Sequence, residues 1–249
     1  MNANLVSIIT PTYNAISYIE STYFSITNQT YKNWEWIVTD DLSTDGTYEY
    51  LLNLESKDSR VKVFRNLNNF GPAVSRNNSI EKANGRYIAF LDSDDLWAPE
   101  KLKTQINFML VNKVPLSYSD YSFIDENDVL IERVRRVPNT LNYKELLREN
   151  KIGCLTAIYD THAIGKVFMP LIRKRQDYGL WLNILKLVPK AYRCPGVLAV
   201  YRIRKESVSS NKIHLLKYNF ELFYKHQNIS FLTSLLYVFV NAFNKFKSM

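Results

Sequence analysis

The chain has 249 residues, 46% of them hydrophobic, enough for one large domain or one domain with an appendage around a substantial core. Its two cysteines, Cys154 and Cys194, lack metal-ligand spacing, which argues against a disulfide scaffold or zinc site and fits a reducing compartment. The net charge of +8 hides a split: residues 1–132 hold 11 Lys/Arg against 18 Asp/Glu, and residues 133–249 hold 21 against 6. An acidic front half suits a cation. A basic back half suits phosphate, nucleic acid or an anionic membrane, unless the charge is solubilising and unevenly spread.

In chain order, Leu5 to Thr10 reads as a buried strand and Ile16 to Asn28 as a helix, with Ile19, Tyr23 and Ile26 at helical spacing. The run LVSIIT is too short for a secretory signal, so a secreted precursor is not expected. Trp34 to Thr39 is the second strand, and Ser43-Thr44-Asp45 offers caps for a helix through Leu54. Val61 to Phe64 is the third strand, Gly71-Pro72 opens a helix, and Tyr87 to Leu91 is the fourth strand. A further helix opens at Pro99. This alternation predicts an α/β fold with a mainly parallel sheet covered on both faces. Ligands bind such sheets beyond the carboxyl ends of the strands. That edge collects Pro11 to Asn14, Asp40-Asp41 and Asp92 to Asp95.

Beyond residue 115 the pattern loosens. Leu116 to Ile124 and Val129 to Val137 read as strands around the turn DEND, Asn142 to Glu149 as a helix, and Leu155 to Tyr159 as a strand. Asp177 to Leu187 is an amphipathic helix, and Val197 to Tyr201 is a strand ending in YRIRK. From Lys212 onward the chain is a helical, aromatic tail with five lysines and one acid. Its apolar stretch Ile229 to Phe243 is shorter than the roughly 20 residues that span a bilayer. An interfacial helix with snorkelling lysines is one reading; packing on the domain or in a dimer interface is the other.

FLDSDDLW places Asp92, Asp94 and Asp95 at the mouth of a buried strand. A helix cap needs one carboxylate; three there, with two more from another strand, point to a hard cation, Mn2+ or Mg2+, and a nucleotide diphosphate. Neither GxxxxGK[ST] nor GxGxxG occurs, so cation and basic side chains must neutralise the phosphates.

Over roughly residues 4 to 210 the chain resembles glycosyltransferase family 2, inverting nucleotide-sugar enzymes of GT-A fold. VSIITPTYN is similar to the family's opening strand, WEWIVTDDLSTDGT to its VDDGSTDGT segment, and NLNNFGPAVSRNNSIEKANGRYIAFLDSDDLWAPEKL to its central block. The resemblance implies a GT-A nucleotide-sugar part over residues 1–115, an acceptor part over 116–211 and the tail over 212–249. It implies that Pro11 and Tyr13 line the base and ribose, that Asp41 bonds the base, expected to be uracil of a UDP-sugar, and that Asp92 and Ser93 lie near the ribose. Asp94 would ligate the metal, Asp95 would support it through water, and Arg76 could touch phosphate. RKRQDYGLWLNIL is similar to the family's EDYDLWLRL helix, which makes Asp177 the base, with Gln176 in place of Glu. In YRIRKESVSS, Arg204 stands where the family often has His, and reads as a diphosphate clamp.

The expected activity is inverting transfer from a nucleotide-sugar to a saccharide acceptor. The resemblance suggests a lipid-pyrophosphate-linked intermediate of O-antigen or capsule synthesis, met at the cytoplasmic, inner face of the membrane through peripheral contact by the tail. A nucleic-acid partner is not expected. The rivals are a phosphatase-type hydrolase with Asp92 as nucleophile and a non-catalytic saccharide-binding module. In the hydrolases, however, such a motif ends the first strand, and here it ends the fourth.

Overall fold

The computed structural model describes residues 4–204 and 212–247. The front half alternates β1 (Val6–Thr12), α1 (Ile19–Thr27), β2 (Trp34–Asp40), α2 (Thr47–Lys57), β3 (Val61–Arg65), α3 (Pro72–Lys82) and β4 (Tyr87–Phe90). All seven residues of β1 and of β2 are buried, as strands covered on both faces must be. Asp45 accepts the Thr47 amide just ahead of α2, whose N-cap is Gly46, and Pro72 opens α3 behind Gly71, which takes a left-handed φ of 88°.

These four strands are mutually parallel in the order β3-β2-β1-β4. From β1 the chain builds outward to β2 and β3, then returns to the other side of β1 with β4. The strand order therefore reverses between β1 and β4, which opens a crevice at their carboxyl ends. Residues 11–13 and 92–95 flank that crevice.

The second half follows as β5 (Leu96–Trp97), α4 (Lys101–Asn112), β6 (Leu116–Ile124), β7 (Leu130–Arg135), β8 (Thr140–Leu141), α5 (Tyr143–Arg148), β9 (Ile158–Asp160), α6 (Thr161–Ile164), α7 (Gln176–Leu187) and β10 (Ala191–Arg202). β9 runs antiparallel to both β4 and β6, and β6 runs parallel to β10. β5 reaches across to pair antiparallel with β10, so the aspartate turn bridges the two halves.

Among the elements that differ from expectation in extent, three have a clear local cause. The strand expected at Val197 begins at Ala191: a bulge between Cys194 and Val197 absorbs Pro195 and Gly196, and the ladder to β6 resumes beyond it. The strand expected at Leu155 begins at Ile158, because Cys154–Thr156 forms a 3₁₀ turn in which Thr156 Oγ1 donates to the Gly153 carbonyl. Helix α1 starts three residues late, where the Ala15 carbonyl accepts the Tyr18 and Ile19 amides.

Core clusters cover both faces of the sheet. One holds Trp34, Trp36, Tyr87, Trp97 and Ile106; the other holds Phe90, Tyr159, Trp181, Leu222 and Phe223. Helix α7 is buried nearly all round because β4 meets it from one side, with Phe90 edge-on to Trp181 at 5.4 Å, and the tail meets it from another, with Tyr178 edge-on to Phe223 at 5.8 Å.

The tail is α8 (Lys212–Glu221), a π-helical turn over Leu222–His226 and α9 (Phe231–Lys247). Leu222 and Phe223 are fully buried, so this segment is part of the core. Helix α9 packs Tyr237 and Val238 on the core and adds polar contacts beside them: Asn241 Nδ2 donates to the Leu147 carbonyl at 2.7 Å and Asn244 Nδ2 to the Arg148 carbonyl at 3.2 Å. Those carbonyls are the last of α5 and have no partner within their own helix. The outward face of α9 carries Leu232, Leu235, Leu236, Phe239 and Phe243, all exposed, Leu232 by 77% and Phe239 by 68%. Among the described residues, no helix is long and apolar enough to cross a membrane.

Candidate active site

The crevice continues into a cavity of about 980 Å³ between the strand ends and the second half. It is lined by Pro11, Tyr13, Asp41, Arg76, Asp92, Ser93, Asp94, Asp95, Asp177 and Arg204. All ten residues singled out from the sequence thus face one space. Asp40 is separate: it is fully buried, takes the Ser43 amide on Oδ2 and pairs that oxygen with Arg65 Nε at 3.3 Å.

At the β1 end, Tyr13 is half exposed and Pro11 is buried beneath it. Asp41 follows β2 and shapes the wall opposite. Its Oδ1 accepts from Asn66 Nδ2 at 2.7 Å and from the Phe70 amide at 3.0 Å; its Oδ2 accepts the Gly71 amide at 2.7 Å. The carboxylate therefore holds the loop before α3 while still facing the cavity.

The turn after β4 is braced from behind. Asp95 is almost wholly buried, and its Oδ1 accepts the Arg202 amide at 2.9 Å. Arg202 Nε donates to the Asp94 carbonyl at 2.7 Å. Asp94 and Asp92 are left facing the cavity. Asp94 Oδ2 accepts from Arg204 Nη1 at 2.9 Å, and the Arg202 and Arg204 guanidinium carbons lie 5.0 and 4.9 Å from the centroid of the Tyr18 ring. Burial, then repulsion from Asp92, raises the Asp94 pKa against the pull of Arg204. Burial, then Asp94 and Asp92, raises Asp95 well above its ordinary value. Crowded anions at a strand end, all with oxygen donors, fit a hard divalent cation, which needs only one or two carboxylates when phosphates and waters complete its shell.

Arg76 comes from α3 and lies in the floor. Its Nη2 donates to Asp92 Oδ1, and its Nε is buried with no hydrogen-bond partner. Burial works against the guanidinium charge, but Asp92, and further off Asp177, outweigh it and hold Arg76 protonated.

Asp177 stands in the first turn of α7, across the cavity from β1. Burial raises its pKa; the Tyr178 amide, Arg76 and Arg175 draw it back in part. A carboxylate that is easier to protonate than usual, facing a cavity, suits proton abstraction. The neighbouring Cys154 thiol is pushed well up by burial, so it stays protonated and inert.

Sequence reasoning passed over two sets of residues. Arg202 carries the aspartate turn; its two-residue spacing from Arg204 at the end of β10 signals a shared face, but not what that face meets. Arg173, Lys174 and Arg175, and Asn219 from the tail, also line the cavity. The run RKR was visible, yet nothing local says that it turns inward.

A parallel half with carboxylates at its strand ends, joined to a half that supplies Asp177 across the gap, is the GT-A arrangement. Comparison agrees: the family described as glycosyl transferase family 2 matches residues 7–168. The Escherichia coli protein UDP-Glc:alpha-D-GlcNAc-diphosphoundecaprenol beta-1,3-glucosyltransferase WfgD is 41% identical over 218 residues, 87% of this chain and 84% of that protein. Among solved structures, S. aureus TarS 1–349 in complex with UDP-GlcNAc superposes with a TM-score of 0.73 at 19% identity, over 93% of this chain and 69% of that one. The mannosyltransferase PcManGT from Pyrobaculum calidifontis, in complex with GDP-Man and Mn2+, gives 0.69 at 20% identity, over 94% and 69%. The chain belongs to glycosyl transferase family 2 and is a glycosyltransferase.

Proposed function

We propose that the enzyme transfers a hexose, with inversion, from a UDP-sugar to a saccharide carried on a lipid diphosphate, in the assembly of a cell-surface polysaccharide. One observation carries this reading: Asp92 and Asp94 at the donor end and Asp177 on α7 face a single cavity. The name of the similar protein WfgD specifies a UDP-glucose donor and a diphosphoundecaprenol-linked acceptor, which makes UDP-glucose the first donor to try.

In this reading Pro11 and Tyr13 flank the base and ribose, Asp41 meets the uracil edge, and Ser93 and Asp92 border the ribose. Asp94 would hold Mn2+ or Mg2+, with Asp95 supporting it through water. Bound there, the cation would neutralise charge on the departing diphosphate. Arg204, already on Asp94, is placed to grip the diphosphate, and Arg76 keeps Asp92 oriented beside the phosphate path. Asp177 takes the proton of the acceptor hydroxyl. The hydroxyl oxygen forms its bond to the anomeric carbon on the face opposite the leaving group. The bond from that carbon to the phosphate oxygen breaks, and UDP departs with the electron pair. The outward face of α9 rests on the membrane surface, which brings a lipid-borne acceptor to the cavity.

The test is transfer from a panel of UDP-sugars to a hexose-diphosphate-lipid, with product stereochemistry read by NMR. The expected product has inverted anomeric configuration. Activity should disappear in chelator, return with Mn2+ or Mg2+, and be absent from a folded Asp94→Asn variant. Full activity in chelator would remove the metal from the scheme, and retention of configuration would remove Asp177 as base.

A further inference from the structure

The wall of the cavity around α7 is as basic as its donor end is acidic. Arg173, Lys174 and Arg175 line it just before α7, and Lys151 faces it from the loop after α5. Lys151 and Arg135 share Glu149, at 3.3 and 3.1 Å. Among the described residues, by contrast, Arg173, Lys174 and Arg175 form no ion pair. Three consecutive cations on a concave wall repel one another, and the pull between Arg175 and Asp177 still leaves the cluster net positive, so an entering anion is favoured.

Two local features show that the segment is built. Arg175 takes a left-handed φ of 71°, uncommon for a residue with a side chain, and its Nε is buried with no hydrogen-bond partner. Gln176, itself buried, donates Nε2 to the Arg173 carbonyl at 2.8 Å and closes the turn that carries the cations. Glutamate has no N–H to give and could not make this bond. Glutamine at 176 thus keeps the loop closed and withholds a negative charge from it.

We propose that Arg173, Lys174 and Arg175 form the subsite for the diphosphate of the acceptor, with Gln176 as its positioning residue. This deepens the proposed function and rests on its reading of the acceptor as a diphosphate-linked saccharide. The donor diphosphate belongs at Asp94 and Arg204, at the other end of the cavity. Arg175 is two residues from Asp177, at most about 7 Å of extended chain. One sugar ring bridges that gap, its hydroxyl at Asp177 and its anomeric diphosphate on the basic turn. The diphosphate then places the accepting hydroxyl at the base.

The experiment compares two acceptors with the full chain and a UDP-sugar: an alkyl-diphosphate-linked hexose and the matching alkyl hexoside without phosphate. The wild type should prefer the diphosphate, chiefly through KM and less so at high salt. In R173A/K174A the ratio of kcat/KM values should fall at least about tenfold, the loss of one charge-assisted hydrogen bond. Gln176→Glu should lower the ratio in the same direction. An unchanged ratio in both variants overturns the proposal. So does an unchanged ratio combined with loss of binding to phosphatidylglycerol vesicles, which would assign the cations to lipid headgroups. If the wild type glycosylates neither acceptor, the reading of function fails, and the subsite is judged by calorimetry with the alkyl-diphosphate hexose in the presence of UDP. Weaker binding by R173A/K174A then supports it, and equal binding overturns it.

Discussion

Replacing Asp177 by asparagine removes a charge and a proton acceptor while preserving shape. If Asp177 is the base, kcat should fall by about 10² to 10⁴, or roughly 3 to 5 kcal/mol of transition-state stabilisation. Donor affinity should not follow, because Asp41, Asp94 and Arg204 lie across the cavity from α7 and bind through their own contacts. Nor should the fold suffer. The Asp177 pKa is raised chiefly by burial, so the folded chain holds its proton more tightly than the unfolded chain does. The ionised form is therefore a destabilising element, absent below the ordinary carboxylate range and complete above the raised value. Asparagine lacks it, so the variant should melt no lower than the wild type at neutral pH.

The pH profile separates a base from a structural carboxylate. Wild-type kcat should drop as pH falls through the raised Asp177 pKa, an acid limb displaced upward from the usual carboxylate range. In Asp177→Asn the residual rate should lose that limb. Single-turnover transfer, with UDP affinity measured by calorimetry, supplies both readouts. A variant with kcat within threefold of the wild type, or one that keeps the acid limb, refutes the assignment.

Three further outcomes are expected. Gly179→Ala should destabilise by about 1–3 kcal/mol, since the added Cβ would lie 2.3 Å from Pro170 Cγ and 3.0 Å from Leu222 Cδ1. That crowding exceeds the gain in helix propensity of up to about 1 kcal/mol, and calorimetric melting checks the sign. Lys101 is fully buried, with its pKa pushed down to about 7, so the unfolded chain holds this proton more tightly than the folded one. Its penalty is complete below pH 7 and lifts as pH rises; the stability of Lys101→Met relative to the wild type should therefore fall by roughly 1.4 kcal/mol per unit between pH 7 and 9, and parallel curves would count against it. The double substitution L236S/F239S on the outward face of α9 should abolish sedimentation with anionic vesicles at unchanged melting temperature, whereas lost stability would show that this face packs on protein.

The parallel half was legible because its information is local. Strands buried on both faces need unbroken apolar runs, and the polar residues that end those runs fall at the sheet's carboxyl edge whatever the loops do. Thus LVSIIT, WEWIVT and YIAFL located β1, β2 and β4, and Pro11, Asp41 and Asp92 followed. The second half was less legible because its contacts are distant in sequence. Pro195-Gly196 looks like a strand break until β6 is seen to tolerate a bulge there. β5 has only two residues, held by Ala199 and Val200 more than a hundred positions away. The bracing role of Arg202 depends on carbonyl and carboxylate groups of other loops, for which one chain's residue pattern holds no signal.

Helix α9 shows most plainly what periodicity leaves open. A stripe at 232, 235, 236, 239 and 243 is the pattern that normally faces a core. Here the inward side combines Tyr237 and Val238, packed on the core, with hydrogen bonds: α5 ends with carbonyls lacking partners, and Asn241 and Asn244 supply donors to them. Once those contacts fix the helix rotation, the apolar stripe has only the outside to face. The opposite rotation would leave the α5 carbonyls unpaired and turn the asparagines outward, at a loss of about 1–3 kcal/mol for each group buried without a partner. The membrane-facing and domain-packed readings of the tail are therefore not exclusive. One face docks the helix, and docking presents the other beside the cavity that Asn241 and Ala242 help to line.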